Sequence, residues 1–156
     1  MRGVAGAAMM AVFCTFSCAD PACKEYVSTA DLSAPATLRG DVLPIFAASC
    51  TLTSCHGVLT GQNQGLYLGS RTMTTDPVQV RTNLLAVSAT AGFPYVTPGD
   101  PKRSFLMRKL DGDQCTLDTS CANHSCGARM PRGLAELPAA QRDTIRRWIA
   151  QGAKDN

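Results

Sequence analysis

The stretch Cys50-Thr-Leu-Thr-Ser-Cys55-His56-Gly57, with Met130-Pro131 far downstream, constrains this chain more than any hydrophobic pattern in it. Two thiols separated by four residues and followed at once by an imidazole must share one small loop. Whatever that loop binds or bonds to decides how the rest of the chain packs. The cysteine inventory sharpens the constraint. The chain has 156 residues and eight cysteines, and it begins with Arg2 and a short apolar run from Val4 to Phe16. That opening fits a secretory signal and is too short to span a bilayer. Its two expected endings are a lipobox-like Thr15-Phe16-Ser17-Cys18, which makes Cys18 the lipidated first residue, and ordinary cleavage after Ala19. Either leaves Cys23, Cys50, Cys55, Cys115, Cys121 and Cys126 in the body. An even set of thiols in an exported protein implies that they are oxidised or otherwise capped.

Two cysteines followed by histidine form an attachment pattern for haem: each thiol adds to a vinyl group, and the adjacent imidazole ligates the iron. The usual spacing is two residues, and here it is four. A longer loop still brings both sulfurs to one porphyrin edge. If two thiols carry haem, four remain for two disulfides, whose connectivity the sequence leaves open. Other fates stay open as well. Cys50 and Cys55 can close a disulfide loop with His56 merely following. Cys121-Ala-Asn-His124-Ser-Cys126, with Cys115 upstream, can wrap zinc, although export favours oxidation of those thiols.

The organisation along the chain is expected to be a signal peptide over 1–19, a tether over 20–40 and one helical domain over 41–153. Val42, Leu43, Ile45 and Phe46 predict a short helix that delivers Cys50 to its end, with Pro44 harmless in the first turn. Asp76-Pro77 and Asp100-Pro101 each offer an N-cap followed by proline, and helices are expected through Val78–Val87 and around Phe105–Leu110, the second closed near Gly112. Leu66, Tyr67 and Leu68 form an apolar cluster in a loop or short strand. Residues 113–132 read as a cysteine-bearing loop. Ile145, Trp148 and Ile149 stripe a last helix starting at Pro138, with Gly152 as its stop. The fold class is therefore all-α, about four short helices with long loops.

Charge excludes little beyond nucleic acid. The net charge of +3 includes Arg2, and the basic residues are scattered without aromatic interleaving. Arg142, Arg146 and Arg147 are expected to be solvated near a helix C-terminus, and Asp111-Gly-Asp113 to be a solvated turn. No Gly-x-Ser-x-Gly elbow, His-Glu-x-x-His helix or phosphate-binding glycine loop is present, so no enzyme is expected.

Taken in order, Val42-Leu-Pro-Ile-Phe46, Cys50 to Gly57, Gly65-Leu-Tyr-Leu68, Val96-Thr-Pro-Gly-Asp-Pro101 with Ser104-Phe-Leu106, Met130-Pro131 and Trp148-Ile-Ala-Gln-Gly-Ala153 resemble the cytochrome c superfamily. The likeness is to its small exported c-type domains of the planctomycete and myxobacterial kind, and it covers the chain from about Asp41 to Ala153. The resemblance implies a cytochrome c-like fold around one haem c, with Cys50 and Cys55 as attachment residues and His56 and Met130 as the iron ligands. It also implies that Phe46 and Trp148 pack where the first and last helices cross. His124 is the rival distal ligand, and Met73 and Met107 are weaker ones. The implied function is one-electron transfer to redox partner proteins of the cell envelope, in the periplasm or from a lipid anchor on Cys18. The alternative is a haem-free, disulfide-stapled envelope binding or structural module on the same helical fold.

Overall fold

The computed structural model describes residues 23–60 and 65–156, so the expected signal peptide over 1–19 and Cys18 lie outside the described residues. Four α-helices occur among them: α1 (Leu43–Ser49), α2 (Pro77–Leu85), α3 (Phe105–Asp111) and α4 (Ala139–Ala150). Described residues contribute no strand, only an isolated antiparallel bridge between Val87 and Pro94. The all-α expectation stands.

The helix starts follow from local chemistry. Asp76 accepts from the Val78 amide, and Pro77 occupies the first helical position of α2. Asp100 accepts from Arg103 in a short 3-10 turn before α3. Gly112 stops α3 at φ 78°, and a side chain there would meet the Arg129 Cδ at 2.9 Å. A π-helical turn, Leu38–Val42, precedes α1, so helical structure begins before Asp41. Residues 113–132 are less irregular than expected, with 3-10 segments at Gln114–Ser120 and Ala122–His124.

The core joins the two ends of the chain. Leu38, Val42, Phe46, Ile145, Trp148 and Ile149 are all essentially sealed from solvent, and the π turn packs on α4. Phe46 and Trp148 are thus both core residues. The close aromatic ring pair among the described residues is Tyr95–Phe105, however, with centroids 6.4 Å apart. The Trp148 indole N–H donates to the Lys154 carbonyl at 2.8 Å, which satisfies the ring's one polar atom inside the core.

Residues 23–39, read from sequence as tether, run alongside α4 in the same direction. Cys23 is disulfide-bonded to Cys115. The Tyr26 amide donates to Asp113, and the Arg142 and Arg146 guanidinium groups sit 4.8 and 5.4 Å from its ring centroid. Ser28 donates to Asp143. Gln151 donates to the carbonyls of Leu32 and Ala34, and its own oxygen accepts from Ala36. Arg39 closes the line on Asp155 at 2.7 Å.

Two charge readings are corrected by this packing. Arg142 and Arg146 are each only 7% exposed, and the side chains of Asp111 and Asp113 are 5% and 2% exposed. Asp111 takes Arg146 in a two-point contact of 2.8 and 3.0 Å, and Asp113 takes Arg108 at 2.9 Å. Burial nevertheless raises the Asp111 carboxyl above its ordinary value, against the pull of Arg146. These ions are buried because α3 and α4 meet there; the Asp-Gly-Asp turn and the α4 stripe do not encode that meeting locally.

Trp148→Ala should cost about 3–5 kcal/mol, as large core aromatic deletions do, read as a lower denaturation midpoint. Cys115→Ser should also destabilise the fold, by roughly 2–5 kcal/mol, because it frees the strap. Urea melts of both variants check this, and an unchanged midpoint for Cys115→Ser would show that the strap is held by α4 alone.

Candidate functional site

The motif loop is built by backbone hydrogen bonds. Cys50 and Thr51 amides both donate to the Phe46 carbonyl, closing α1. The next carbonyls, of Ala47 and Ala48, accept from the Arg71 guanidinium, so the helix end is capped by a distant cation. The chain then doubles back. Cys55 and Gly57 amides donate to the Leu52 carbonyl, and the His56 amide donates to that of Cys50 at 3.0 Å. Gly57 is required here for space: a Cβ on it would overlap the Thr51 carbonyl and stand 2.9 Å from that of Leu52.

His56 is held three ways. Besides its amide, its carbonyl accepts from Leu68, and its ring Nδ1 lies 2.8 Å from the Leu66 carbonyl. A carbonyl only accepts, so Nδ1 carries the proton and Nε2 keeps its lone pair. Burial lowers the imidazole's pKa, with the Leu66 carbonyl opposing, which favours the neutral ring.

His56 and Cys50 line a partly enclosed cleft. Its walls are mostly apolar. Leu66 and Leu68 come from the segment that holds His56, Tyr95 precedes α3, and Phe105, Leu106 and Leu110 belong to α3. Met130 also lines it, and its amide donates to the Lys109 carbonyl at 2.8 Å, which ties the methionine to α3. The polar lining comprises Ser88, Thr90 and Lys109.

Cys50 and Cys55 are the free cysteines among the described residues; Cys23–Cys115 and Cys121–Cys126 are the disulfides. The disulfide fate considered for Cys50 and Cys55 is thus not taken. Burial pushes the Cys50 thiol up to about 12, with Cys55 adding to the rise and Arg71 opposing. Cys50 faces the cleft, whereas Cys55 is not among the residues that line it.

The remaining expectations divide. Cys126, in the second disulfide, lines the cleft, and Lys109 on α3 donates to its carbonyl. His124 is exposed and outside the lining, on a turn with φ 53°. Met73 is 68% exposed, while Met107 is a core residue at 1%. The zinc alternative loses its thiolates to the Cys121–Cys126 bond, and among the described residues no three His, Cys, Asp or Glu side chains converge as a metal site. No described helix is long and apolar enough to cross a membrane.

Sequence reasoning missed Lys109. Its ammonium lies in the cleft wall, donates to the Cys126 carbonyl at 2.7 Å and sits 5.6 Å from the Phe105 ring centroid. Burial pulls its pKa down to about 8, with Asp118 opposing and Arg132 adding to the fall. A lone lysine among helix apolars carries no signal that it faces inward.

No protein-family model matches this chain, and no curated protein or solved structure is similar to it at a significant level.

In the haem-free chain, Cys50 should resist alkylation at pH 8, where its thiolate is scarce, and its rate should climb only toward pH 12. Mass spectrometry of iodoacetamide-treated peptides resolves it from Cys55; rapid labelling of Cys50 at pH 8 would contradict the buried thiol. Gly57→Ala should loosen the same loop and raise the alkylation rate of Cys50 at constant pH.

Proposed function

We propose that this chain is an exported monohaem c-type cytochrome domain that carries single electrons. The observation that carries the reading is the meeting in one apolar cleft of an unpaired Cys50, an imidazole with a free nitrogen and the Met130 thioether. The donor set suits haem c. Each thiol of Cys50 and Cys55 would add across one vinyl double bond, sulfur to one carbon and hydrogen to the other, with no net oxidation. His56 would offer Nε2 to the iron, its other nitrogen engaged by Leu66 in the way ligand histidines are oriented by a second partner. Met130 would offer its thioether sulfur as the other ligand to the iron. Bound there, haem c supplies one-electron exchange between Fe(III) and Fe(II), and His/Met ligation raises its potential. The leucines and Phe105 would exclude water from the iron, which further disfavours the more charged oxidised form.

The segment that leads into the domain agrees with export. Two disulfides also close among the described residues, Cys23–Cys115 and Cys121–Cys126, and such bonds persist in oxidising compartments. Redox partner proteins of the cell envelope are then its counterparts, with a lipid on Cys18 as one means of attachment.

A second reading is favoured by one specific observation. Cys55 stands outside the cleft lining, and the spacing of four residues departs from the usual two. A haem-free, disulfide-stapled envelope module on the same helical frame fits both facts.

Absorbance decides between them. Protein purified from an envelope fraction should show Soret and α bands, with a haem adduct on the Cys50–Cys55 peptide by mass spectrometry. Colourless protein without an adduct establishes the stapled module. In the holoprotein, Met130→Ala should lose the weak thioether-to-iron band, lower the potential and let the reduced form bind carbon monoxide, while His124→Ala should change none of these. The reverse pattern would make the site bis-histidine.

A further inference from the structure

Among the described residues, the cleft wall holds one cation, Lys109. Lys109 has three N–H donors, and one is spent on the Cys126 carbonyl. Among the described residues no carboxylate lies within ion-pairing distance of it. Asp118, whose charge favours the ammonium, gives one oxygen to the Cys126 amide at 2.6 Å, and Arg132 repels the ammonium. The neighbouring lining, Phe105, Leu106 and Leu110, is apolar. An ammonium held against such a wall is poorly solvated and gains most from an anion supplied by whatever fills the cleft.

The surroundings give that anion a defined place. Thr90 also lines the cleft, and its carbonyl accepts from Ala122, while Lys109 binds the carbonyl of Cys126. Thr90 and Lys109 therefore both lean on the same disulfide loop, Cys121–Cys126. That loop steers the lysine toward one corner of an otherwise apolar site.

We propose that Lys109 is the carboxylate-binding residue of the cleft, pairing its ammonium with an acidic group of the occupant. Resting on the haem reading, that group is one propionate of haem c. The lysine is a positioning residue: it touches the cofactor's periphery, not the iron. By neutralising a carboxylate near the iron it removes a negative charge that would otherwise favour the oxidised form, so it holds the potential up.

Lys109→Gln and Lys109→Arg test this. The carbonyl that holds Met130 belongs to the backbone and survives both substitutions. Glutamine can still donate to Cys126 but carries no charge; arginine keeps the charge. In holoprotein, K109Q should lower the potential by an amount on the order of a tenfold shift in the oxidation equilibrium, ~59 mV for one electron, and K109R should restore most of it. Redox-difference infrared spectra with haem labelled by carbon-13 at the propionate carboxyls should show a labelled carboxylate band that moves in K109Q and not in K109R. An unchanged labelled band and potential in K109Q would overturn the ion pair while leaving the cytochrome reading intact, because the Soret band persists. Wild-type protein without haem would overturn both.

Discussion

The hydrogen bond between the His56 ring and the Leu66 carbonyl is the contact on which the site depends. It joins two segments that are otherwise separate in the chain: the loop after α1 and the apolar stretch that walls the cleft. It sets the tautomer, so the nitrogen left over is the one with a lone pair. The Leu68 amide on the His56 carbonyl repeats the connection through the backbone. Without this pair of bonds, Leu66 and Leu68 would have no reason to lie beside Cys50, and the cleft would lose a wall.

The other wall is α3, and it is held from outside by ions and cross-links. Asp113 receives Arg108 at the end of α3 itself, and Asp111 receives Arg146 of α4 with almost no solvent. A buried ion pair of this kind contributes little net stability but is costly to break, since a lone charge would remain inside. Its effect is therefore to fix where α3 lies on α4. Tyr26 stacks on two of the arginines, so the N-terminal strap covers the cluster and is anchored by it. Cys23–Cys115 then closes a loop that the helices alone would leave open. In a domain with few helices and long connections, such fixtures replace part of the missing core.

Much of the frame was legible in the sequence. Asp76-Pro77, Asp100-Pro101, Gly112 and the Ile145–Trp148–Ile149 stripe marked helix ends and faces because caps, proline and periodicity act within a few residues. The boundary at Asp41 was less accurate, since the π turn from Leu38 is nucleated by Thr37 and Asp41 through a side-chain contact. Of the site, Cys50, His56 and Met130 were marked by residue type and order. Lys109 and Cys126 were not, because their place in the cleft depends on how α3 meets the disulfide loop. Arg142 and Arg146 of α4 were misread as solvated for the same reason: the partner they share, Asp111, lies on α3.

What the sequence by itself determined is the inventory: six cysteines from Cys23 onward, a histidine directly after the second of a close pair, a late methionine and the four helices that carry or flank them. These are properties of residue type and short-range spacing, and local physics expresses them without help. Only the tertiary structure decided which thiols pair, leaving Cys50 and Cys55 free, and which groups share a cleft. Pairing and convergence are long-range outcomes, set by the packing of α3 on α4, by the strap along α4 and by the backbone bonds that fold the loop of His56 onto Leu66.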